Sequence, residues 1–353
     1  MTAGRAQIGQ RRLGWIAGGM AVVLLVAAPW VADAYTISTF SRVLAMGLLA
    51  MSATLLTGTA GLPTLAQAGY FGIGAYAAAL LARSGVTLGP VQLVAAIAVA
   101  ATVAVVTGSM VVRTRGVTFL MLTLAVGELA QSVAIQWRSL TGSTDGLGGI
   151  PPVVPFPGAA PLTNDGLLFY YVLAVFLVLF LAVGVVVRSP YGLALRGIRD
   201  NEDRMRAAGY PVYRYLLAGY GIAGGLAGAA GALTVSVVRF VSASDLGFGI
   251  AALALLAAVI GGVGSMWGAC LGAAVVVLVR DYLSGVAIPG TGEAFSGPLL
   301  LGVTFIVVVY LLPRGIAGVD VFRRVVPAAR GDVAPAAAGR PASRADADAE
   351  VDQ

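Results

Sequence analysis

Few side chains in this sequence could do covalent chemistry, and the spacing of those few points to something else. Glu128 stands inside the apolar run TLAVGELAQSV, with Gln131 one helical turn further on. A carboxylate at membrane depth is costly unless it is paired or faces water. One acid without a relay partner makes a poor proton path, so Glu128 reads as a structural hydrogen-bonding group or a lining residue of a polar pathway. There is no histidine and no lysine. Histidine metal sites and histidine acid–base catalysis are therefore excluded, as is a phosphate-binding P-loop with its lysine. The single cysteine, Cys270, lies in an apolar run; it forms no intrachain disulfide and reads as a small packed residue. Asp281, beside Arg280 near the end of another apolar run, reads with it as a snorkelling interfacial pair.

Three longer segments stand out. The stretch 188–214, RSPYGLALRGIRDNEDRMRAAGYPVYR, holds six arginines (Arg188, Arg196, Arg199, Arg204, Arg206, Arg214) against three acids (Asp200, Glu202, Asp203), six minus three giving a net of +3. Leu193, Leu195, Ile198 and Met205 give it an amphipathic helical spacing, and Gly209-Tyr210-Pro211 ends it. A cytoplasmic loop obeying the positive-inside rule explains the arginines. A surface helix that docks on a soluble partner also explains the helical spacing and the interleaved acids. The stretch 58–82 sets Thr64, Gln67, Tyr70, Phe71 and Tyr76 among small residues. Polar groups there either pack between helices or line a pore. The stretch 141–156, TGSTDGLGGIPPVVPF, is a turn-rich loop with Asp145 as its one charge, either a plain connection or a dock for a soluble binding protein.

Behind these segments stand the elements that must position them. Of 353 residues, 59% are hydrophobic and 11% charged, against roughly 25% charged in a soluble domain. The mean hydropathy is +0.92. A spanning helix needs ~20 mostly apolar residues, and ten runs are candidates, with ends good to a few residues: 13–31, 38–57, 62–82, 88–112, 117–137, 167–187, 213–238, 247–264, 266–283 and 298–312. The expected fold is all-α, a polytopic transmembrane helical bundle of about ten (8–10) spans. The third run, with Pro63 and Gly61, Gly69, Gly72 and Gly74, is the candidate for a broken or re-entrant helix. The eighth and ninth are the next least regular.

The arginines sit at the ends of the apolar runs rather than on one polar face, which argues for membrane topology and against a nucleic-acid partner. Arg5, Arg11 and Arg12, then Arg113 and Arg115, then 188–214, then Arg314, Arg323 and Arg324 fall on one side if both termini are cytoplasmic. Arg83 and Arg239 fall on the other side and weaken the rule slightly. Expected domains are a cytoplasmic N-terminus (1–12), a transmembrane body (13–318) and a disordered cytoplasmic tail (319–353) rich in Ala, Pro, Arg and Asp. The first run ends near Ala32-Asp33-Ala34, a signal-peptidase-like site, but its length favours a retained helix.

In this order, GLPTLAQAGYFGIGAYAAALLA, TGSTDGLGGIP, RSPYGLALRGIRDNEDRMRAAGYPVYRYLLAGYGIAGGLAGAAGAL, GGVGSMWGACLGAA and YLLPRGIAG resemble the branched-chain amino acid permease family of bacterial ABC importers, in its LivM-type branch. The resemblance runs from about residue 40 to 318. It implies a non-enzymatic pore subunit of the bacterial inner membrane, paired with a second, homologous permease. Two ATPase subunits would carry ATP and magnesium, leaving no cofactor in this chain, and a soluble extracytoplasmic binding protein would deliver the substrate. It further implies that the loop around Arg196, Arg199, Asn201, Glu202 and Gly209 is the coupling helix. Thr64, Gln67, Tyr70, Phe71, Tyr76 and Glu128 are then the candidates for the substrate pathway. Systems of this family carry leucine, isoleucine and valine, other amino acids, urea, short amides or aromatic acids, and the sequence does not choose. An ATP-independent secondary transporter, a channel and a membrane enzyme are the rivals. They would show ion-coupling charges or inverted repeats, a ring-built filter, or a nucleophile–base pair or metal cluster, respectively.

Overall fold

The computed structural model describes residues 33–284, together with Val26, Pro29 and Gly302. Apart from those three residues, the expected spans 13–31 and 298–312 lie outside the described residues, as do the expected N-terminus 1–12 and tail 319–353.

The runs expected as spans two to nine each form a helix. These are α1 (Ala34–Thr54), α2 (Gln67–Arg83), α3 (Gly89–Val111), α4 (Gly116–Gln136), α5 (Asp165–Arg188), α8 (Val212–Val238), α9 (Phe248–Gly261) and α10 (Met266–Ser284). Two short helices, α6 (Pro190–Asp200) and α7 (Glu202–Ala207), fill the charged segment between α5 and α8. Among the described residues, five helices are long and apolar enough to cross a membrane: α1 with its π-helical extension, α3, α4, α5 and α8. At ~1.5 Å per residue, the 14 residues of α9 span about 21 Å, short of a ~30 Å hydrocarbon core. The expected span 247–264 is therefore shorter than its apolar run, because Gly262 and Gly264 take φ of 102° and 99° and stop the helix.

The third expected span is interrupted, as its glycines and proline suggested. After α1 the chain continues as a π-helix, Leu55–Ala60, ended by Gly61 at φ 72°. Residues 61–66 are not helical, and α2 starts only at Gln67. Irregular backbone at this depth needs internal partners, and it has them. Leu62 N–H donates to the Leu56 carbonyl at 3.0 Å, and Leu65 N–H donates to Thr123 Oγ1 on α4 at 3.2 Å.

Small residues bring the central helices together. On α3 the buried positions Ala96, Ala100, Ala104 and Gly108 recur every four residues and face α8. A methyl added at Gly224 would strike Ala104, and one at Gly228 would strike Ala100. On the other side of α8, Gly228 and Gly231 lie against the α2 backbone at Gly74, Phe71 and Ala75. Helices that gain nothing from hydrophobic exclusion in lipid gain dispersion contact by this close approach. Tyr220 of α8 seals the centre, edge-on to Tyr70 at 5.8 Å and to Phe119 at 6.4 Å between ring centres.

The connections gather at two ends. At one, Arg115 meets Glu202, Arg199 reaches Gly58, and Gly58 lies against Gly264. At the other, Gly89 N–H donates to Val154, Leu147 exchanges backbone bonds with Val241, and Arg239 reaches the Leu162 carbonyl. Arg42 and Asp281 pair there at 3.1 Å. The segregation is the one that strict alternation of the spans requires. The first end carries Arg113, Arg115, Arg188, Arg196, Arg199, Arg204, Arg206 and Arg214.

Candidate functional site

Among the described residues, the arginine-rich end carries a capped and clamped pair of short helices. Ser189 and Pro190 start α6: the Ser189 hydroxyl accepts from Gly192 N–H at 3.4 Å, and proline suits the first helical turn. Gly192, Ala194, Leu195 and Ile198 are buried against the bundle. Asn201 breaks the helix with an extended backbone and caps α7, its side chain accepting from Arg204 N–H at 2.9 Å. Gly209, at φ 85°, closes α7; its N–H donates to Arg206 and that of Tyr210 to Met205. Sequence patterning placed Leu193 on the apolar face, but it is 60% exposed.

Two side chains tie this pair of helices to the membrane body. Arg199 donates to the carbonyl of Gly58 in the π-helix at 2.5 Å. Its stem fills the space where a side chain at Gly61 would sit, with Cγ 2.5 Å from that position. Glu202 accepts two hydrogen bonds of 2.9 Å from Arg115, at the start of α4, and one of 2.6 Å from Arg206. Hydrogen bonding by Arg115, helped by the charges of Arg115 and Arg206 and opposed by partial burial, holds the Glu202 carboxyl below its ordinary range. Arg196 donates to the Val187 carbonyl at 2.6 Å.

The five residues expected to couple, Arg196, Arg199, Asn201, Glu202 and Gly209, thus all shape this segment or fasten it to the bundle. The exposed residues of this segment include Leu193, Asp200, Asp203, Arg204, Arg206 and Tyr210. Sequence reasoning passed over Asp203 and Tyr210 as members of that surface. Their signal was position alone: Asp203 lies in the first turn of a six-residue helix, and Tyr210 follows its closing glycine.

Of the six residues expected on a substrate pathway, five point into the chain's own interior. Thr64, Gln67, Tyr70, Phe71 and Tyr76 are 1–6% exposed. Gln67 Oε1 lies 2.6 Å from Ser52 Oγ, and Tyr70 OH lies 2.6 Å from Thr107 Oγ1 and 3.1 Å from Tyr220 OH. Among the described residues, the Gln67 amide nitrogen and the Tyr76 hydroxyl have no partner. These side chains knit the broken segment to α1, α3 and α8.

Glu128 is placed differently. Phe119, Thr123, Gly127 and Ala134 form the packed face of α4. Glu128 lies on the opposite face and is exposed, with Thr118, Met121, Ala125, Ser132 and Gln136 at helical intervals on the same side. No hydrogen bond or ion pair engages it among the described residues.

Comparison with known proteins gives this geometry a setting. Residues 35–309 match the model of a family described as branched-chain amino acid transport system / permease component. The chain is 27% identical over 284 residues to the high-affinity branched-chain amino acid transport system permease protein LivM of Escherichia coli, covering 74% of this chain and 67% of that one. It is 27% identical over 286 residues to the probable branched-chain amino acid transport permease protein LivH of Methanocaldococcus jannaschii, covering 77% and 88%. It is also 35% identical over 196 residues to the autoinducer 2 import system permease protein LsrD of an Enterobacter species, covering 53% and 58%.

Proposed function

The chain belongs to the family of branched-chain amino acid transport permeases, and from that premise we propose that it is one pore subunit of an ATP-driven importer for leucine, isoleucine and valine. It works beside a second, related permease, above two ATPase subunits, and below a soluble binding protein that delivers the substrate. The observation that carries this reading is the α6–α7 unit, a pair of short helices standing at the arginine-rich end, outside the bundle but clamped to it. A connecting loop needs neither the caps nor the two arginine clamps. A lever between a soluble motor and a membrane body needs both.

The arginine-rich end is cytoplasmic by the positive-inside rule. Leu193, Asp203, Arg204 and Tyr210 form the face toward an ATPase. Closure of the ATPases on ATP displaces α6–α7. Arg199 carries the displacement to the π-helix at Gly58, and the Arg115–Glu202 pair carries it to the start of α4. π-Helical turns inside α-helical spans are frequent at functional sites, and here the turn leads into the non-helical residues 61–66. Access then alternates by a shift of packed helices around a path between the two permeases. The chain itself makes and breaks no covalent bond. The relative named for autoinducer 2 import favours a second reading, in which the same machine carries another small polar solute.

The test separates the clamp from the dock. In membranes co-expressing this chain with its companion permease and ATPases, Asp203→Arg with Arg204→Glu should abolish ATPase co-purification while the permeases stay inserted and paired. Arg199→Ala should keep the ATPases bound and uncouple their hydrolysis from transport. Retention of the ATPases by the reversed-charge variant, with full transport, would remove α6–α7 from the interface.

A further inference from the structure

We propose that Glu128 receives the ammonium group of a zwitterionic amino acid as it passes through the membrane, so that this residue selects for substrates carrying a positive charge. The inference rests on the reading of the chain as half of a pore, and it adds the substrate's recognised group.

Three observations carry it. First, Glu128 is the thirteenth residue of a 21-residue helix, which places it about 18 Å along the axis at ~1.5 Å per residue, near mid-membrane. Second, it is on the unpacked face of α4 with no cation or hydrogen-bond donor among the described residues. Third, that face is amphiphilic over its length, with Thr118, Ser132 and Gln136 interleaved with Met121 and Ala125. A carboxylate, an amide and two hydroxyls on one helical strip are costly against hydrocarbon. Against water and a passing solute they are not. The other carboxylates on the described spanning helices, Asp165 and Asp281, lie within the terminal turn. Glu128 is therefore the one fixed negative charge deep in the described spans.

Charge complementarity names the ligand. A solute with an ammonium gains from Glu128; an uncharged urea or amide gains little, and an aromatic carboxylate is repelled. Ala125, about 4.5 Å along the axis from Glu128, supplies apolar contact for an aliphatic side chain, and the Ser132 hydroxyl, about 6 Å away, offers a donor to the substrate carboxylate. The contact is weak because the strip is hydrated, which suits release.

The experiment uses the assembled complex in proteoliposomes, in a Cys270→Ser background. Thr118→Cys and Ser132→Cys are exposed to a membrane-impermeant thiol reagent with and without leucine-loaded binding protein. Glu128→Gln and Glu128→Asp are assayed for leucine uptake, ATP hydrolysis and pairing with the companion permease. The expected result is that both cysteines are labelled and leucine slows the labelling. Glu128→Gln lowers uptake roughly tenfold, the scale of one lost charge-assisted contact, with pairing and hydrolysis intact, and Glu128→Asp restores most of it. Labelled cysteines with wild-type uptake by Glu128→Gln would overturn the ammonium role and leave the pore reading standing. Cysteines that stay unlabelled in the complex would overturn both. Loss of pairing in Glu128→Gln would overturn the proposal by assigning the carboxylate to a cation on the companion chain.

Discussion

Replacing Gly231 by alanine pits two well-measured effects against each other. In a helix interior, glycine to alanine gains about 0.8–1 kcal/mol of helix propensity. At Gly231 of α8 the new methyl would meet the α2 backbone, colliding with the Phe71 carbonyl oxygen and reaching 2.8 Å from Ala75 N and 3.0 Å from the Phe71 carbonyl carbon. Backbone atoms cannot rotate away, so α2 and α8 must part by at least ~1.5 Å to restore ordinary contact distances near 3.5–4 Å. Overpacking of a tight core costs ~1–3 kcal/mol, and here the separation also opens the Gly74–Gly228 contact on the same line. Taking the upper end and subtracting the propensity gain leaves about 2 kcal/mol of destabilisation, or roughly 30-fold in the folded ratio. Gly184, inside α5, has open space around its would-be methyl, so Gly184→Ala carries the propensity gain alone. Thermal unfolding of the purified chain in detergent should place Gly231→Ala well below wild type and Gly184→Ala level with it or above. Equal or higher stability of Gly231→Ala would refute the claim that close backbone approach holds α2 and α8 together.

Other consequences follow from the clamps. Arg199→Lys keeps the charge but loses the extended fork that reaches Gly58, and should retain less than half the transport per ATP of wild type in reconstituted complexes, with Arg199→Ala lower still. Glu202 has a folded pKa depressed by Arg115 below the ordinary 4.5, so its stabilising contribution is present above that value and is lost as pH falls through the folded value. The stability gap between wild type and Glu202→Gln, about 1 kcal/mol for a partly exposed pair, should be constant above pH ~5.5 and close as the pH drops below 4.5, read by detergent melts across that range. Arg115→Gln should shrink the same gap and leave the part that Arg206 supplies.

The helices were legible because each is written as an apolar run, and the break at 61–66 because Gly61 and Pro63 interrupt one. The pairing of the loops at two ends followed from alternation alone. The orientation of side chains did not. The polar members of 58–82 sit at positions that a hydropathy pattern cannot assign to a lumen or an interior, because all faces of a central helix are apolar or small. Burial of Thr64, Gln67 and Tyr70 is set by α3 and α8, which approach through glycine and alanine stripes far away in sequence. Glu128 was visible as an anomaly in its run. Its exposure was not, since the packed face of α4 is fixed by Thr123 and Gly127 meeting residues 65–69. In 188–214 the charge pattern marked a special segment and the local pairs Arg199–Asp200 and Glu202–Arg206 lie within it, yet the further contacts of Arg199 with Gly58 and of Glu202 with Arg115 are ones that only the fold brings near.

We propose that this chain moves branched-chain amino acids when, and because, separate ATPases act on α6–α7. The most direct test is uptake of labelled leucine into proteoliposomes holding this chain, its companion permease and its ATPases, with binding protein outside and ATP inside. Uptake should require ATP and binding protein, and should fall to background in the Asp203→Arg, Arg204→Glu variant. Uptake by this chain alone, unchanged when ATP is withheld, would contradict it.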